Sequence, residues 1–272
     1  MNFNSIFTEE QQQFIIDNYM KKSYQEIADE LGFTKGQVET WAYRHHFKKN
    51  QGLINGHYFD QIDTSLKAYF LGFIYADGTI DIKSRRAHFL MKLQSQDRYV
   101  LEKLNQELGG RDSFLFHEEP HKRTIMGREV ICHGTDRLSI GSRDLINSLL
   151  MNNIVPNKSH SDIFPMVNDE FFFDYLRGYI DGDGTYYINK RGYLIITIIC
   201  NSEKNLRYIQ SKLSEKGIDT RIYGRPDCNA KTLMCSKVKD SRELLNRLYY
   251  EDDLFCLQRK YEKVKHLIGL AA

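Results

Sequence analysis

Two segments of this chain repeat one another closely enough to dictate its architecture. "FLGFIYADGTI" (70–80) and "LRGYIDGDGTY" (176–186) share Gly72/Gly178, Ile74/Ile180, Asp77/Asp183, Gly78/Gly184 and Thr79/Thr185 at an offset of 106. Leu101, Leu104 and Leu108 match Leu206, Ile209 and Leu213 at an offset of 105. "SRDLINSL" (142–149) matches "SRELLNRL" (241–248) at an offset of 99. Lys158 in "VPNKS" and Lys260 in "LQRKY" follow the last matched block. Three matched blocks in one order indicate two copies of a unit of about a hundred residues.

Each copy has the same expected elements. A helix capped by Thr64 or Asn168 ends at the DG. Two strands follow, "TIDIK" and "AHFLMKLQS" in one copy, "TYYIN" and "YLIITIICN" in the other. Asp97 or Ser202 caps a second helix, and another strand pair leads to the SRxLxN helix: "SFLFHE" with "RLSIG", then "TRIYG" with "TLMCSK". The expected fold class is α+β.

The acids around the second glycine pair admit several chemistries. A calcium loop beginning at Asp181 needs a glycine at its sixth place and an acid at its twelfth, but Tyr186 and Gly192 stand there. A phosphatase of the DxDGT type fits "YIDGDGT", yet the first copy has Tyr75 at the nucleophile's place and a phosphatase has no use for the repeat. Gly178 and Gly182, like Gly72 and Ala76, are small residues at i and i+4, which suits a helix face pressed against another helix. Two such helices side by side bring Asp77 and Asp183 together at their negative ends, a conflict that a hard divalent cation such as magnesium removes.

These motifs resemble those of the LAGLIDADG homing endonucleases in their single-chain, two-motif form, over roughly residues 60–268. The resemblance implies two pseudo-symmetric αββαββα halves whose four-stranded sheets form a saddle over DNA. It further implies a site-specific endonuclease making a double-strand break by phosphodiester hydrolysis with two or three magnesium ions. Carried over by position, Asp77 and Asp183 are the metal ligands; Asp181 takes no catalytic role, and neither does the backbone at Ala76. Lys158 and Lys260 are the matching basic residues near the scissile phosphates, although Lys260 also reads as a solvated position on the last helix. Gln96 and Asn201 are candidates to position the attacking water.

Residues 8–46 have a separate pattern. Thr8 caps one helix, Ser23 a second with the apolar face Tyr24, Ile27, Ala28 and Leu31, and Thr34 a third, with Val38, Trp41 and Ala42 pointing to a core. Gly32 supplies the turn. The spacing resembles the helix-turn-helix of DNA-binding proteins, which implies that Lys35, Gln37, Thr40 and Arg44 face bases or phosphates. Six Lys/Arg against seven Asp/Glu in residues 1–50 keep an interaction module without DNA in view. The expected domains are 1–47, a linker at 48–63, a first half at 64–160 and a second at 161–272.

Alternate side chains on strands are expected to read DNA: Lys83, Arg85, His88 and Lys92 in the first half, and Tyr187, Asn189 and Arg191 in the second. Asp81 lies on the same row. The clusters "KSRR", "HKR" and "NKRG" sit at expected strand ends and turns, where a solvated face explains each one alone. A net charge of +2 neither demands nor excludes nucleic acid. Five cysteines with no CxxC pair argue against zinc or a disulfide framework. With no signal peptide or membrane-length apolar run, a cytoplasmic monomer is expected, acting on double-stranded DNA and no membrane. No splicing residues flank the chain, so a free-standing or intron-encoded gene is expected. The alternative is a catalytically silent DNA-binding regulator, or an RNA-splicing helper, on the same fold.

Overall fold

The computed structural model describes residues 6–19, 22, 24–45, 54–83, 86–125, 128–225 and 228–269. They belong to two units, Met1–Ile54 and Asn55–Ala272.

The first unit is built of α1 (Glu9–Asn18), α2 (Tyr24–Leu31) and α3 (Lys35–Arg44). Thr8 and Thr34 each close a capping box, with Gln11 and Gln37, so both helix starts have their exposed N–H groups answered. Phe7, Ile15, Ile27, Ala28, Val38, Trp41 and Ala42 form one buried cluster. Gly32, at φ +72°, makes the left-handed turn between α2 and α3 that a side chain would strain. Ser23 lies outside the described residues.

In the second unit the first half runs α4 (Ser65–Asp77), β1 (Gly78–Lys83), β2 (Arg86–Gln94), α5 (Arg98–Glu107), β3 (Leu115–Glu118), β4 (His121–Ile125), β5 (Arg128–Cys132), β6 (Thr135–Ile140) and α6 (Arg143–Met151). The second half runs α7 (Phe172–Asp183), β7 (Gly184–Ile188), β8 (Leu194–Cys200), α8 (Glu203–Glu215), β9 (Arg221–Arg225), β10 (Cys228–Cys235) and α9 (Val238–Leu248), followed by α10 (Gln258–Val264). The sheets are antiparallel and equivalent, β1-β2-β6-β3 and β7-β8-β10-β9. The fold is α+β, as the repeat predicts. Alternate residues such as Ile80, Phe89, Met91, Leu138 and Ile140 bury one face of the first sheet, and Tyr186, Leu194, Ile196, Ile198 and Leu233 that of the second.

Helices α4 and α7 pack against each other through their small residues. A Cβ on Gly72 would stand 2.0 Å from the Tyr175 carbonyl oxygen, and one on Gly178 only 1.9 Å from that of Tyr69. At Gly182 it would meet the Ala76 methyl at 2.2 Å. Backbone rather than a mobile side chain lies opposite the first two glycines, so no rotamer change makes room. Both helices run straight into strands at Gly78 and Gly184, whose φ values of −76° and −95° are ordinary. These glycines are needed for a different reason: a Cβ would collide at 2.7 Å with the backbone of Ile74 or Ile180.

Several expectations need correction. Asn168 does not cap α7; it precedes a 3-10 turn, Asp169–Phe171, and Phe171 is the N-cap. Asp97 precedes α5 without a capping bond. Ser202 caps α8 as expected. Ser142 caps α6, whereas its counterpart Ser241 lies inside α9. Residues 55–63, read as linker, pack into the second unit: Phe59 is wholly buried, and its carbonyl accepts from Asn152 Nδ2 at 2.6 Å. "HKR" is not a turn but opens β4, part of a two-stranded ladder with β5.

Arg177 on α7 is fully buried. It pairs with Asp174 at 2.8 Å and donates to the carbonyls of Leu248 (2.9 Å) and Phe255 (3.2 Å), tying the chain after α9 to the central helix. Apolar burial alone would not hold that irregular stretch, because its carbonyls need donors.

Candidate functional site

Asp77 and Asp183 are the last residues of α4 and α7, so the close glycine packing brings both carboxylates to one end of the helix pair. The two are near enough that a Cβ on Gly182 would stand 3.1 Å from Asp77 Oδ2. Each keeps an exposed edge, yet crowding at the helix ends removes part of its water. That desolvation pushes Asp183 up to about 6, helped by the charge of Asp77 and opposed by Lys158 and Lys260. Asp77 is also raised by desolvation, against Lys260, Lys158 and Arg259. Among the described residues neither carboxylate enters an ion pair.

The lysines occupy equivalent posts. Lys260 is buried and donates to the carbonyls of Ile180 (2.8 Å), Gly182 (3.2 Å) and Gly184 (2.6 Å). Lys158 donates to the carbonyl of Gly78. Both ammonium groups therefore satisfy carbonyls at the negative end of their own half's helix, which eases the conflict expected there. Desolvation lowers both amines, Lys260 to about 8, while Asp77 and Asp183 resist the shift. Reading Lys260 as a solvated position is thereby corrected.

Asp181 has a positioning role. Fully buried, it accepts from the Tyr69 hydroxyl at 3.0 Å and from the Leu257 N–H at 2.6 Å. Leu257 is the N-cap of α10, so Asp181 fixes the helix that carries Lys260. Burial raises its carboxyl to about 6, against the Leu257 hydrogen bond and the charge of Lys260. The segment before Asp181 is helix throughout, which removes the phosphatase reading, since that motif follows a strand.

A notch of about 220 Å³ opens beside Asp183, lined by Tyr75, Lys158, Ser159, Tyr179, Cys200 and Asn201 among others. Asn201 is held there by donating Nδ2 to the Ser159 carbonyl at 3.1 Å. Its counterpart Gln96 is not brought into this notch: it is exposed and donates to Gln94 Oε1 at 2.7 Å. Next to Gln96, buried Asp97 takes two bonds from Arg259 Nε, at 2.9 and 3.1 Å. Sequence reasoning missed Arg259, although it adjoins Lys260 where the first copy has Asn157.

The expected DNA-reading residues divide. Lys83 pairs with Asp81 at 3.2 Å, Lys92 with Glu118 at 2.5 Å, and the His88 ring lies 3.0 Å from Ser139 Oγ. Arg137, also missed, stands opposite Lys92 on β6 with its guanidinium 4.8 Å from the Phe116 ring centre. Tyr187 is exposed on β7. Asn189 and Arg191 do not continue that alternation, because β7 ends at Ile188. Instead, Asn189 Oδ1 accepts from the N–H groups of Arg191 (2.9 Å) and Tyr193 (3.0 Å) to shape the turn. On α3, Lys35, Thr40 and Arg44 are exposed, whereas the Gln37 side-chain oxygen is committed to its capping box at 2.8 Å. Arg85 lies outside the described residues.

A family described as LAGLIDADG-like domain matches residues 170–251, most of the second half. No curated protein matches. Among solved structures, full-length DUF199/WhiA from Thermatoga maritima is 18% identical at a TM-score of 0.46, over 81% of this chain. The chain spans 66% of that protein's length. Meganuclease I-SmaMI bound to uncleaveable DNA is 14% identical, with a TM-score of 0.48 over 75% of this chain and 90% of that one. Mesophilic variants of the homing endonuclease I-DmoI are 13% identical, with a TM-score of 0.46 over 73% of this chain and 98% of theirs. No activity carries across at such distances.

Proposed function

We propose that the chain is a site-specific DNA endonuclease that makes a magnesium-dependent double-strand break at a long, non-palindromic site. The observation that carries this reading is the pair Asp77 and Asp183 at the abutting ends of α4 and α7, flanked by two equivalent lysines. The donor set suits a hard cation. Among the described residues no group of three or more His, Cys, Asp or Glu could hold a metal, so the two carboxylates would be completed by other oxygens. Magnesium tolerates that arrangement, because it keeps several waters.

A bound magnesium would supply a more acidic water and stabilise the departing oxygen of the phosphodiester. The chain's own groups do the rest. Asp77 and Asp183 would hold the cation, Lys158 and Lys260 would keep the helix ends closed and set a positive potential beside them, and Asn201 would hold a water in the notch. Neither carboxylate needs to be the general base. Lys92, His88 and Arg137 on one sheet face and Tyr187 on the other would contact the duplex, with α3 adding a helix-turn-helix contact to flanking DNA. Among the described residues no helix is long and apolar enough to cross a membrane.

One observation favours a second reading, a DNA-binding protein without cleavage. The hydrogen bonds of both lysine ammonium groups go to backbone carbonyls and leave fewer donors for a phosphate. Incubation of the protein with a randomised duplex library, with magnesium or with a chelator, separates the two. Site-specific cuts that need magnesium and vanish in Asp77→Asn and Asp183→Asn support the nuclease. Selective binding without cuts supports the silent reading.

A further inference from the structure

The halves differ most between the outer strand of each sheet and its neighbour. In the second half, β9 reaches β10 through residues 226–227 alone. In the first, β3 and β6 pair as far as Glu118↔Thr135, and the chain continues outward into a second ladder, from His121↔Cys132 to Ile125↔Arg128. Glu119, Pro120, His133 and Gly134 form the joint. This extension lowers the repeat offset from 105 to 99, after the longer β9 and β10 and the earlier start of α9 relative to its SRxLxN segment take back part of its length.

The ladder is exposed on both faces, an arrangement that is only marginally stable in water. Its register sets Lys122 opposite Ile131 on one face and Arg123 opposite Val130 on the other. Ile131 is 65% exposed and Val130 41%. Solvating a ribbon needs no β-branched apolar side chains beside cations, and Glu129, 3.3 Å from Lys122, is the one acid in the ladder. Such an exposed pair contributes little to holding the ribbon together.

The root is fixed where it matters. The Gly134 carbonyl accepts from the Ser95 N–H at 3.0 Å, and a Cβ on Gly134 would come 3.1 Å from Ser95 Oγ. Ser95 opens the 3-10 turn ending at Asp97, the partner of Arg259 beside the carboxylates. The ribbon thus leaves the first sheet from a point tied to the candidate centre.

We infer that β4 and β5 form an arm that enters the major groove of duplex DNA beyond the first sheet's footprint. The inference rests on the proposed function above. Five-residue strands reach about 17 Å at roughly 3.4 Å per residue, and the major groove, about 12 Å wide, admits a two-stranded ribbon. Lys122 and Arg123 meet phosphates or guanine edges, while Ile131 and Val130 meet thymine methyl groups. The arm extends the recognised site on one flank only, because the second half has no counterpart among the described residues.

The test uses the full chain on a duplex selected from a randomised library. Two variants are compared with the parent: the exposed pair Lys122→Glu/Arg123→Glu, and replacement of residues 121–132 by Gly-Gly. Hydroxyl-radical footprints, and affinity as a function of salt, are read for each, with melting temperature as the folding control. The expected result is a footprint shortened on one flank for the replacement. The charge variant should lose about tenfold or more in affinity and lower the salt slope by about two. Cleavage at saturating DNA should stay within about twofold. A parent-like footprint and salt slope in both folded variants overturns the arm while leaving the nuclease intact. A parent that selects no duplex overturns both.

Discussion

Lys158 and Lys260, 102 positions apart, donate their ammonium groups to the same carbonyl in each half, that of Gly78 or Gly184 directly after the motif aspartate. Two positive charges thus sit where two helix dipoles and two carboxylates converge. Lys260 is the more deeply committed, with two further carbonyls, of Ile180 and Gly182.

That inequality predicts different stability costs. Lys260→Met strands three carbonyls at a buried site and should cost about 2–4 kcal/mol, whereas Lys158→Met should cost about 1 kcal/mol. Urea denaturation of the two variants measures this directly. Equal losses would mean that the three bonds of Lys260 do not hold α7 to α10.

The glycine contacts predict a sharper loss. Gly178→Ala and Gly72→Ala force a methyl into a facing carbonyl and should each destabilise the second unit by about 3 kcal/mol or more. Gly192→Ala meets no neighbour within 4 Å, and its φ of +79° limits its cost to about 1 kcal/mol. Thermal melts should rank the three variants in that order.

Asn201 and Gln96 hold equivalent positions in the repeat but unequal ones in space. Asn201→Ala should slow cleavage by about tenfold to a hundredfold, with little change in DNA affinity, and Gln96→Ala by less than threefold. Single-turnover cleavage under saturating protein checks both. A matching effect at Gln96 would return it to the site.

Arg177 should be intolerant of substitution, because its removal leaves the buried Asp174 carboxylate without its charge partner, with only the Ser65 and Tyr250 hydroxyls to answer it. Arg177→Met should cost about 3–5 kcal/mol, and combining it with Asp174→Asn should recover about 1–3 kcal/mol of that loss. Additive losses in the double-mutant cycle would show that the two do not act as a pair.

The wholly buried side chain of Asp136 supplies a pH dependence. Burial alone would raise its carboxyl, but hydrogen bonds, those from Arg98 (2.6 Å) and His117 (3.2 Å) among them, outweigh it and hold the group below its ordinary value of 3.8. The folded state therefore releases this proton more readily than the unfolded chain. Its stabilisation is complete above pH 3.8 and is lost as pH falls through the lower folded value. Asp136→Asn should cost about 2 kcal/mol at pH 7, and its stability curve should converge on the parent's below pH 3.8. A constant gap would remove Asp136 as the cause.

The repeat settled much in advance. Matched glycines, leucines and SRxLxN segments are local patterns, so the α+β order of both halves, the α4 and α7 ends at Asp77 and Asp183, and the pairing of their small faces were legible from residue type and spacing alone. The cap at Thr34 and the turn at Gly32 were legible for the same reason: each is decided within a few residues.

Tertiary structure decided what depends on partners distant in the chain. Nothing near Lys260 in sequence marks it as buried; carbonyls about 80 positions earlier do. Asp97 looked like a cap until Arg259, 162 positions later, took its carboxylate. Gln96 and Asn201 are alike in the repeat, yet only the Ser159 carbonyl, fixed by the fold, aims Asn201 into the notch. The offsets drift by a few residues in the sequence, but nothing in that drift shows a ribbon continuing outward from the first sheet. Spacing records local geometry, while burial, hydrogen-bond partners and the electrostatics of a site arise only when remote segments meet.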